Sequence, residues 1–126
     1  MTFPKKERLS WKRHTDILFA KGLSFVAYPL RVIYLPVRKE ETDAPAVSVL
    51  VSVPKKKIRH AVGRNFIKRR IHESYRLRKQ DLVRSFSGKE NTLLVALLYL
   101  SNEKSSYEMI DKAMEKIIHT LTEKMG

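Results

Sequence analysis

Basic residues are concentrated in one segment of the chain, between Lys55 and Arg84. This segment contains 12 lysines and arginines against two acidic residues, and it carries +10 of the net charge of +13. Cations placed along one surface suit a phosphate backbone, because binding releases the counterions condensed on it. The segment therefore predicts a binding site for a polyanion, with a solvated basic helix as the alternative interpretation.

A helix over 59–80 would divide this segment into two faces at about 100° per residue. The polar arc contains Asn65, Lys68, Arg69, His72 and Arg76, and the apolar side contains Ile67, Ile71 and Tyr75. Arg64, Lys68 and Arg69 can bond phosphate oxygens, and Asn65 can also accept a hydrogen bond from a sugar hydroxyl. Such a row positions a nucleic-acid backbone and does not read bases.

Three consecutive lysines, Lys55, Lys56 and Lys57, stand shortly before this helix. Their charges add to the positive end of the helix dipole and to its exposed amide groups. We therefore expect phosphate to bind most strongly at this corner of the molecule.

The sequence shows no residues arranged for catalysis. There is no cysteine, which excludes a thiol nucleophile, a disulfide scaffold and a zinc site with cysteine ligands. The four histidines lack the spacing of metal ligands, and no P-loop, nucleophile elbow or HExxH motif is present. We expect no catalytic residue and no metal site in this chain.

Length and composition predict one soluble domain over residues 1–126. The chain has 43% hydrophobic and 31% charged residues, which is typical of a folded domain with a highly charged surface. Its apolar runs are too short to span a membrane, and its first ten residues lack the apolar core of a signal peptide. A cytoplasmic location is the expectation that follows.

The pattern of elements predicts a two-layer α/β sandwich. A short helix over 10–21, with apolar Trp11, ends before Gly22, and a β-rich stretch over 25–37 is divided by Pro29. An acidic turn over 39–45 leads to a strand over 46–53. After the basic helix, a polar loop leads to a strand over 92–100. The last helix has an apolar stripe up to Met125 and a capping box of Ser105 with Glu108.

Aromatic residues near the start of the chain offer a second kind of nucleic-acid contact. They are Phe19, Phe25, Tyr28 and Tyr34. Single-stranded nucleic acid is commonly held by bases stacked on aromatic rings beside a charged groove. We nonetheless expect most of these rings to pack in the core, as aromatic residues in strands usually do.

The segment 55–82 resembles the signature region of the bacterial ribonuclease P protein subunit. The match centres on Arg64, Asn65, Ile67, Lys68 and Arg69 and continues through Glu73-Ser74-Tyr75-Arg76. Further agreement lies in Leu18-Phe19 with Lys21-Gly22, in Val32-Ile33-Tyr34 and in Ser52-Val53-Pro54-Lys55-Lys56. The resemblance thus covers nearly the whole chain.

This resemblance implies an αβββαβα fold, an α+β two-layer sandwich with a left-handed βαβ crossover like the second domain of ribosomal protein S5. Sequence physics alone would have favoured a right-handed crossover.

The resemblance also implies a function. The chain would be the protein subunit of an endoribonuclease whose RNA subunit, with Mg²⁺, removes the 5′ leader of precursor tRNA. Its partners would be that catalytic RNA and precursor tRNA, with no DNA and no membrane, and it would be a monomer outside the ribonucleoprotein. The implied RNA-subunit contacts are Lys55, Arg59, Arg64, Asn65, Lys68, Arg69, His72 and Arg76. The implied leader contacts are Phe19, Val32, Tyr34, Ser52 and Lys56.

Three positions depart from the family pattern. Phe66 stands where the family usually has the second arginine of its signature triplet, and His72 replaces a frequent arginine. Thr15 stands where an aromatic residue often precedes Phe19 by four positions. We expect Phe66 to turn inward, and we do not count it among the RNA contacts.

Two other functions remain open at this point. A plain RNA-binding module, such as a small ribosomal protein or an RNA chaperone, would carry the same basic helix without a leader cleft. DNA binding ranks last, because the sequence has no dimerising pattern and no recognisable helix-turn-helix.

Overall fold

The computed structural model describes residues 12–38, 46–86 and 91–125, and side chains from Thr15 onward except that of Met125. The described elements are α1 (Lys12–Lys21), β1 (Leu23–Ala27), β2 (Leu30–Arg38), β3 (Val47–Ser52), α2 (Ala61–Arg78), α3 (Gln80–Phe86), β4 (Asn91–Tyr99) and α4 (Tyr107–Met125). The predictions for Trp11 and for the acidic turn 39–45, and the part of the predicted polar loop at residues 87–90, lie outside the described residues.

The four strands form one sheet in the order β1-β2-β4-β3. Strands β1, β2 and β4 are antiparallel neighbours, and β3 pairs with β4 in parallel. A parallel pair needs a long crossover connection, which here contains α2 and α3. The predicted mixed α/β sandwich is therefore confirmed, and the basic helix lies in the crossover.

Pro29 divides the first β-rich stretch, as predicted. Strands β1 and β2 are joined by a tight turn at Tyr28 and Pro29, whose peptide bond is cis. The Pro29 carbonyl accepts a hydrogen bond from Leu100 N–H at 2.8 Å. This bond ties the hairpin turn to the end of the central strand β4.

The sheet has two differently covered faces. Helices α2, α3 and α4 cover one face, where the large core includes Val32, Tyr34 and Val95. The short helix α1 packs on the other face, where Leu18 meets Ile33, Leu94 and Ala96. Strand β4 is buried from both sides. We call these the helix face and the α1 face.

The polar loop predicted after residue 80 is partly wrong, because residues 80–86 form α3. Leu82 and Phe86 are both buried against the core. Their spacing of four residues places them on one side of a helical turn. The tertiary core thus extends helical structure into a segment whose composition resembles a loop.

The start of α4 also differs from the prediction. The Ser106 hydroxyl, not that of Ser105, accepts a hydrogen bond from Met109 N–H at 3.2 Å. Ser105 is buried instead, with its hydroxyl and its N–H bonded to the hydroxyl of Tyr99 at 2.8 and 2.9 Å. Tertiary contact with Tyr99 therefore moves the cap by one residue.

Candidate nucleic-acid interface

Five cations form the outer edge of α2 and of the turn that precedes it. We call this set the basic ridge: Lys55, Lys56, Arg59, Lys68 and Arg69. All are exposed except Lys68, which is half-buried. None of them has an ion-pair partner among the described residues, and exposed Asn65 lies on the same helix. Their charge is therefore available to an external polyanion.

The turn before α2 is fixed by backbone and side-chain bonds. The Pro54 carbonyl accepts hydrogen bonds from the N–H groups of Lys57 and Ile58, at 3.0 and 3.1 Å. Arg64 donates through Nη1 to the carbonyls of Ile58 and Arg59, at 3.1 and 2.8 Å. Arg64, predicted as an RNA contact, thus also holds the turn against the first turn of the helix.

Other basic residues of the segment are engaged within the protein. Arg78 donates hydrogen bonds to the Asp111 carboxylate through Nε and Nη2, at 2.8 and 2.7 Å. The same carboxylate accepts a hydrogen bond from the Ser74 hydroxyl at 2.7 Å. These bonds join α2 to α4. The Arg78 guanidinium and the Ser74 hydroxyl together lower the pKa of Asp111 to about 2 against desolvation, which acts the other way.

Two more of the predicted RNA contacts, Arg76 and His72, are less available to a partner than the ridge cations. Arg76 is exposed but pairs with Glu73, at 2.5 Å between Nη2 and Oε1. The hydrogen bond that Arg76 donates to this carboxylate raises the pKa of the guanidinium above its ordinary value. His72 is half-buried. Both residues lie on the predicted polar arc of α2, but the pairing with Glu73 offsets the charge of Arg76.

The expectation that Phe66 turns inward is wrong. Its side chain is 41% exposed, and its ring lies beside two cations. The guanidinium carbon of Arg70 is 4.2 Å from the ring centroid, and Nζ of Lys104 is 5.9 Å from it. Sequence reasoning missed this cluster because Lys104 is far away in the sequence.

The predicted leader contacts do not form one surface. Val32 is fully buried and Tyr34 is 3% exposed, and both lie in the core of the helix face. The Tyr34 ring packs edge-on against the Phe25 ring, with 5.8 Å between the ring centroids. The expectation that these two side chains line an open cleft is therefore wrong. Phe19, by contrast, lies on α1 at the other face and is 47% exposed.

Strand alternation explains which β2 residues face α1. Successive side chains point to opposite faces, so Ile33 and Leu35 share a face with exposed Arg31. Both alternating sets of β2 are apolar, and that is why the sequence did not decide between them. Arg31, the charged residue in the interior of the strand, could have marked the more open face, although Arg38 at the strand end belongs to the other set.

The α1 face is only partly covered. Leu35, Val37, Leu50 and Leu98 are half-buried around the small core beneath α1. By strand alternation Ser52 points to this face with Leu50, and Lys56 is exposed in the turn after β3. The residues of the leader set that remain accessible are thus Phe19, Ser52 and Lys56.

In the described part of the chain, no three histidine, aspartate or glutamate side chains are grouped so that they could hold a metal ion. Among the same residues, no helix is long and apolar enough to cross a membrane.

Comparison with known sequences identifies the family. The family model described as Ribonuclease P matches residues 3–122. The chain belongs to the ribonuclease P protein family. The ribonuclease P protein component of Porphyromonas gingivalis is 38% identical over 112 residues, which cover 89% of this chain and 80% of that protein. As a ribonuclease P protein component, the chain is part of a tRNA-processing enzyme with an RNA partner.

Solved ribonuclease P proteins share the fold. The protein of Staphylococcus aureus aligns with a TM-score of 0.67 and 20% identity, over 90% of this chain and 94% of that one. The Thermotoga maritima protein aligns with a TM-score of 0.62 and 19% identity, over 95% and 99% of the two chains. The fold class predicted from the sequence is therefore confirmed. The family model and the relative from Porphyromonas gingivalis, and not these structures, favour a ribonuclease P protein over a plain RNA-binding module.

Proposed function

We propose that this chain binds the catalytic RNA of ribonuclease P through the basic ridge and assists removal of the 5′ leader from precursor tRNA. In this proposal the RNA subunit, with Mg²⁺ bound to it, cleaves the phosphodiester bond. The chain is a monomer outside the ribonucleoprotein, and it acts in the cytoplasm. Its residues bind and orient RNA and take no part in bond cleavage.

The basic ridge is the observation that carries this proposal. Its five cations have no ion-pair partner among the described residues, whereas Arg78 and Arg76 on the same helix are paired with carboxylates. Unpaired surface cations that repel one another oppose folding, and a phosphate backbone relieves that repulsion. The fixed turn before α2 keeps Lys55, Lys56 and Arg59 beside the helix.

The α1 face supports the leader-binding part of the proposal. Phe19 offers an exposed ring on which a base can stack, and Lys56 offers a charge for a phosphate. Ser52 adds a hydroxyl from the neighbouring strand. The leader surface that we propose therefore consists of Phe19, Ser52 and Lys56, without Val32 and Tyr34.

Reconstitution tests the function directly. The purified chain is mixed with its cognate ribonuclease P RNA at low Mg²⁺, and 5′ cleavage of precursor tRNA is measured. We expect cleavage only when both components are present. Cleavage by the protein alone, or no gain over the RNA alone, would refute the proposal.

A matched pair of variants tests the basic ridge. Lys68→Ala with Arg69→Ala should weaken binding to the RNA and reduce the salt dependence by about one unit of log–log slope per lost phosphate contact. The control, Lys112→Ala with Lys116→Ala, removes two exposed lysines from α4 and should leave both quantities near those of the wild type. Equal effects of the two double variants would show that total charge, and not the ridge, governs binding.

A further inference from the structure

Phe66 is an exposed aromatic ring on the helix that carries the ridge. It is one residue from Asn65 and three from Arg69, both of them exposed. These spacings place the Phe66 ring at the margin of the outward-facing arc of α2. Phe66 is 41% exposed, and exposed apolar surface costs solvation free energy unless something covers it.

The surroundings of the ring are cationic. Arg70 lies over the ring at 4.2 Å and Lys104 approaches it to 5.9 Å. Arg70 is held in this position, because its Nη1 donates to the Ser105 carbonyl at 2.6 Å. The cluster thus combines an aromatic ring with two positive charges. One of these charges, that of Arg70, is held in place by the backbone carbonyl of Ser105 before α4.

Gly63 allows Lys104 to come this close. A Cβ atom at residue 63 would lie 3.2 Å from Cε of Lys104 and 2.8 Å from Cγ2 of Ile58. The segment before α4 therefore packs against α2 at a residue without a side chain. One turn further along α2, the same segment brings Nζ of Lys104 to 5.9 Å from the centroid of the Phe66 ring.

This arrangement has the chemistry of a stacking site. Nucleobases stack on aromatic rings in single-stranded nucleic acid, and nearby cations bind the phosphates that flank the stacked base. In a duplex the bases are stacked on each other, so only an unpaired base can lie on the ring. A protein partner would need a carboxylate to meet Arg70 and Lys104, and the five cations of the ridge favour a polyphosphate instead.

We propose that an unpaired base of the ribonuclease P RNA stacks on the face of the Phe66 ring that Arg70 leaves open, close to the charges of Arg70 and Lys104. This inference rests on the proposed function, since it assigns one nucleotide contact to the same RNA. It adds a contact of a different kind to the ridge, because stacking depends on the ring and not on counterion release.

The first test separates stacking from charge. Phe66→Leu keeps an apolar side chain but removes the ring, and we expect about tenfold weaker binding to the cognate RNA with the salt slope of the wild type. Phe66→Trp should restore binding. Leu77→Ala, which removes another exposed apolar side chain of α2, is the matched control and should have little effect. Wild-type affinity of Phe66→Leu, or an equal loss in Leu77→Ala, would overturn the inference.

The second test asks whether Phe66 acts only by positioning Arg70. Binding is measured for Phe66→Leu, for Arg70→Ala and for the double variant. Stacking predicts that Phe66→Leu still weakens binding when Arg70 is absent. If the double variant binds like Arg70→Ala, the ring only positions the guanidinium and the inference fails.

A fluorescence measurement reports on the ring itself. Phe66→Trp is made together with Trp11→Phe, because Trp11 is the only tryptophan of the chain. We expect quenching of the indole emission when the RNA binds, whereas unchanged emission in a saturated complex would exclude stacking. If the wild-type chain does not bind the RNA, the proposed function fails. If it binds and only these Phe66 tests fail, the inference alone is wrong.

Discussion

Arg69 and Arg78 are nine residues apart on α2 and have different roles. Arg69 is exposed on the basic ridge, whereas Arg78 is bonded to Asp111 and lies 3.4 Å from Glu115 on α4. A guanidinium that forms two parallel bonds with a carboxylate contributes geometric specificity as well as attraction. Arg78 therefore fixes the orientation of α2 against α4. In this way a cation that is bonded within the protein positions the cations of α2 that face outward.

Replacement of Asp111 should change the acid stability of the protein. Hydrogen bonds from Arg78 and Ser74 lower the pKa of Asp111 from 3.8 to about 2. The ionised Asp111 carboxylate therefore stabilises the fold fully above pH 3.8, and this stabilisation is lost as the pH falls through 2. We expect Asp111→Asn to lower the free energy of unfolding at neutral pH by about 1.5–3 kcal/mol. The free energy of unfolding of this variant, measured by urea denaturation at several pH values, should fall less steeply in acid than that of the wild type.

Glu115→Gln is the control for this prediction. Glu115 is 67% exposed and also lies near Arg78, and exposed ion pairs contribute little. Its acid decline should resemble that of the wild type. If Asp111→Asn declines as steeply as the wild type, Asp111 is not the group that titrates.

Phe19→Ala tests the leader surface. Loss of a stacked base should weaken binding of precursor tRNA with its leader by about tenfold and leave binding of mature tRNA unchanged. Affinities are measured for both RNAs in the reconstituted complex. Ile17→Ala, a partly exposed apolar residue of the same helix, is the control. Equal losses for precursor and mature tRNA would remove Phe19 from the leader surface.

At the scale of elements, the segment between β4 and α4 connects the core to the cluster at Phe66. The hydroxyl of buried Tyr99 bonds to the carbonyl of Glu103 and to the N–H of Ser105. The Ser105 carbonyl in turn accepts a hydrogen bond from the Arg70 guanidinium of α2. A single hydroxyl at the end of the central strand thus holds the segment that carries Lys104.

Tyr99→Phe should make this segment less stable, because it removes the hydroxyl but keeps the ring that packs in the core. The change leaves a buried N–H and a carbonyl without their partner, which costs about 1–3 kcal/mol of unfolding free energy. Urea denaturation measures the loss, and amide hydrogen exchange at Ser105 should become faster. Tyr28→Phe, at an exposed tyrosine of the hairpin turn, should change neither. An unaltered exchange rate at Ser105 in Tyr99→Phe would contradict the anchoring role.

Across the whole molecule, the net charge of +13 opposes folding through self-repulsion. Salt screens charges over about 10 Å at 0.1 M, so we expect the thermal unfolding midpoint to rise with sodium chloride. The rise should be smaller for Lys68→Gln with Arg69→Gln, in which two neighbouring ridge charges are removed. A midpoint that falls with salt would mean that the ion pairs of the fold outweigh the repulsion.

Apart from α3, the element order, the basic helix and its outward arc were predictable from the sequence. They depend on local spacing, since periodicity and charge along a helix are properties of neighbouring residues. Helix α3 was missed for a related reason. Its two core residues, Leu82 and Phe86, are too few to produce a periodic pattern, and only the adjacent core makes them helical.

The tertiary structure alone decided which side chains are available to a partner. The sequence does not decide which alternating set of β2 faces α1, because both sets are largely apolar. Tyr34, which the resemblance implied as a leader contact, is therefore found buried in the core of the helix face. Nor can the sequence tell that Arg78 meets Asp111 or that Phe66 meets Lys104, because these partners are separated by more than thirty residues. Local physics specifies the elements, whereas their packing specifies which cations and rings remain at the surface.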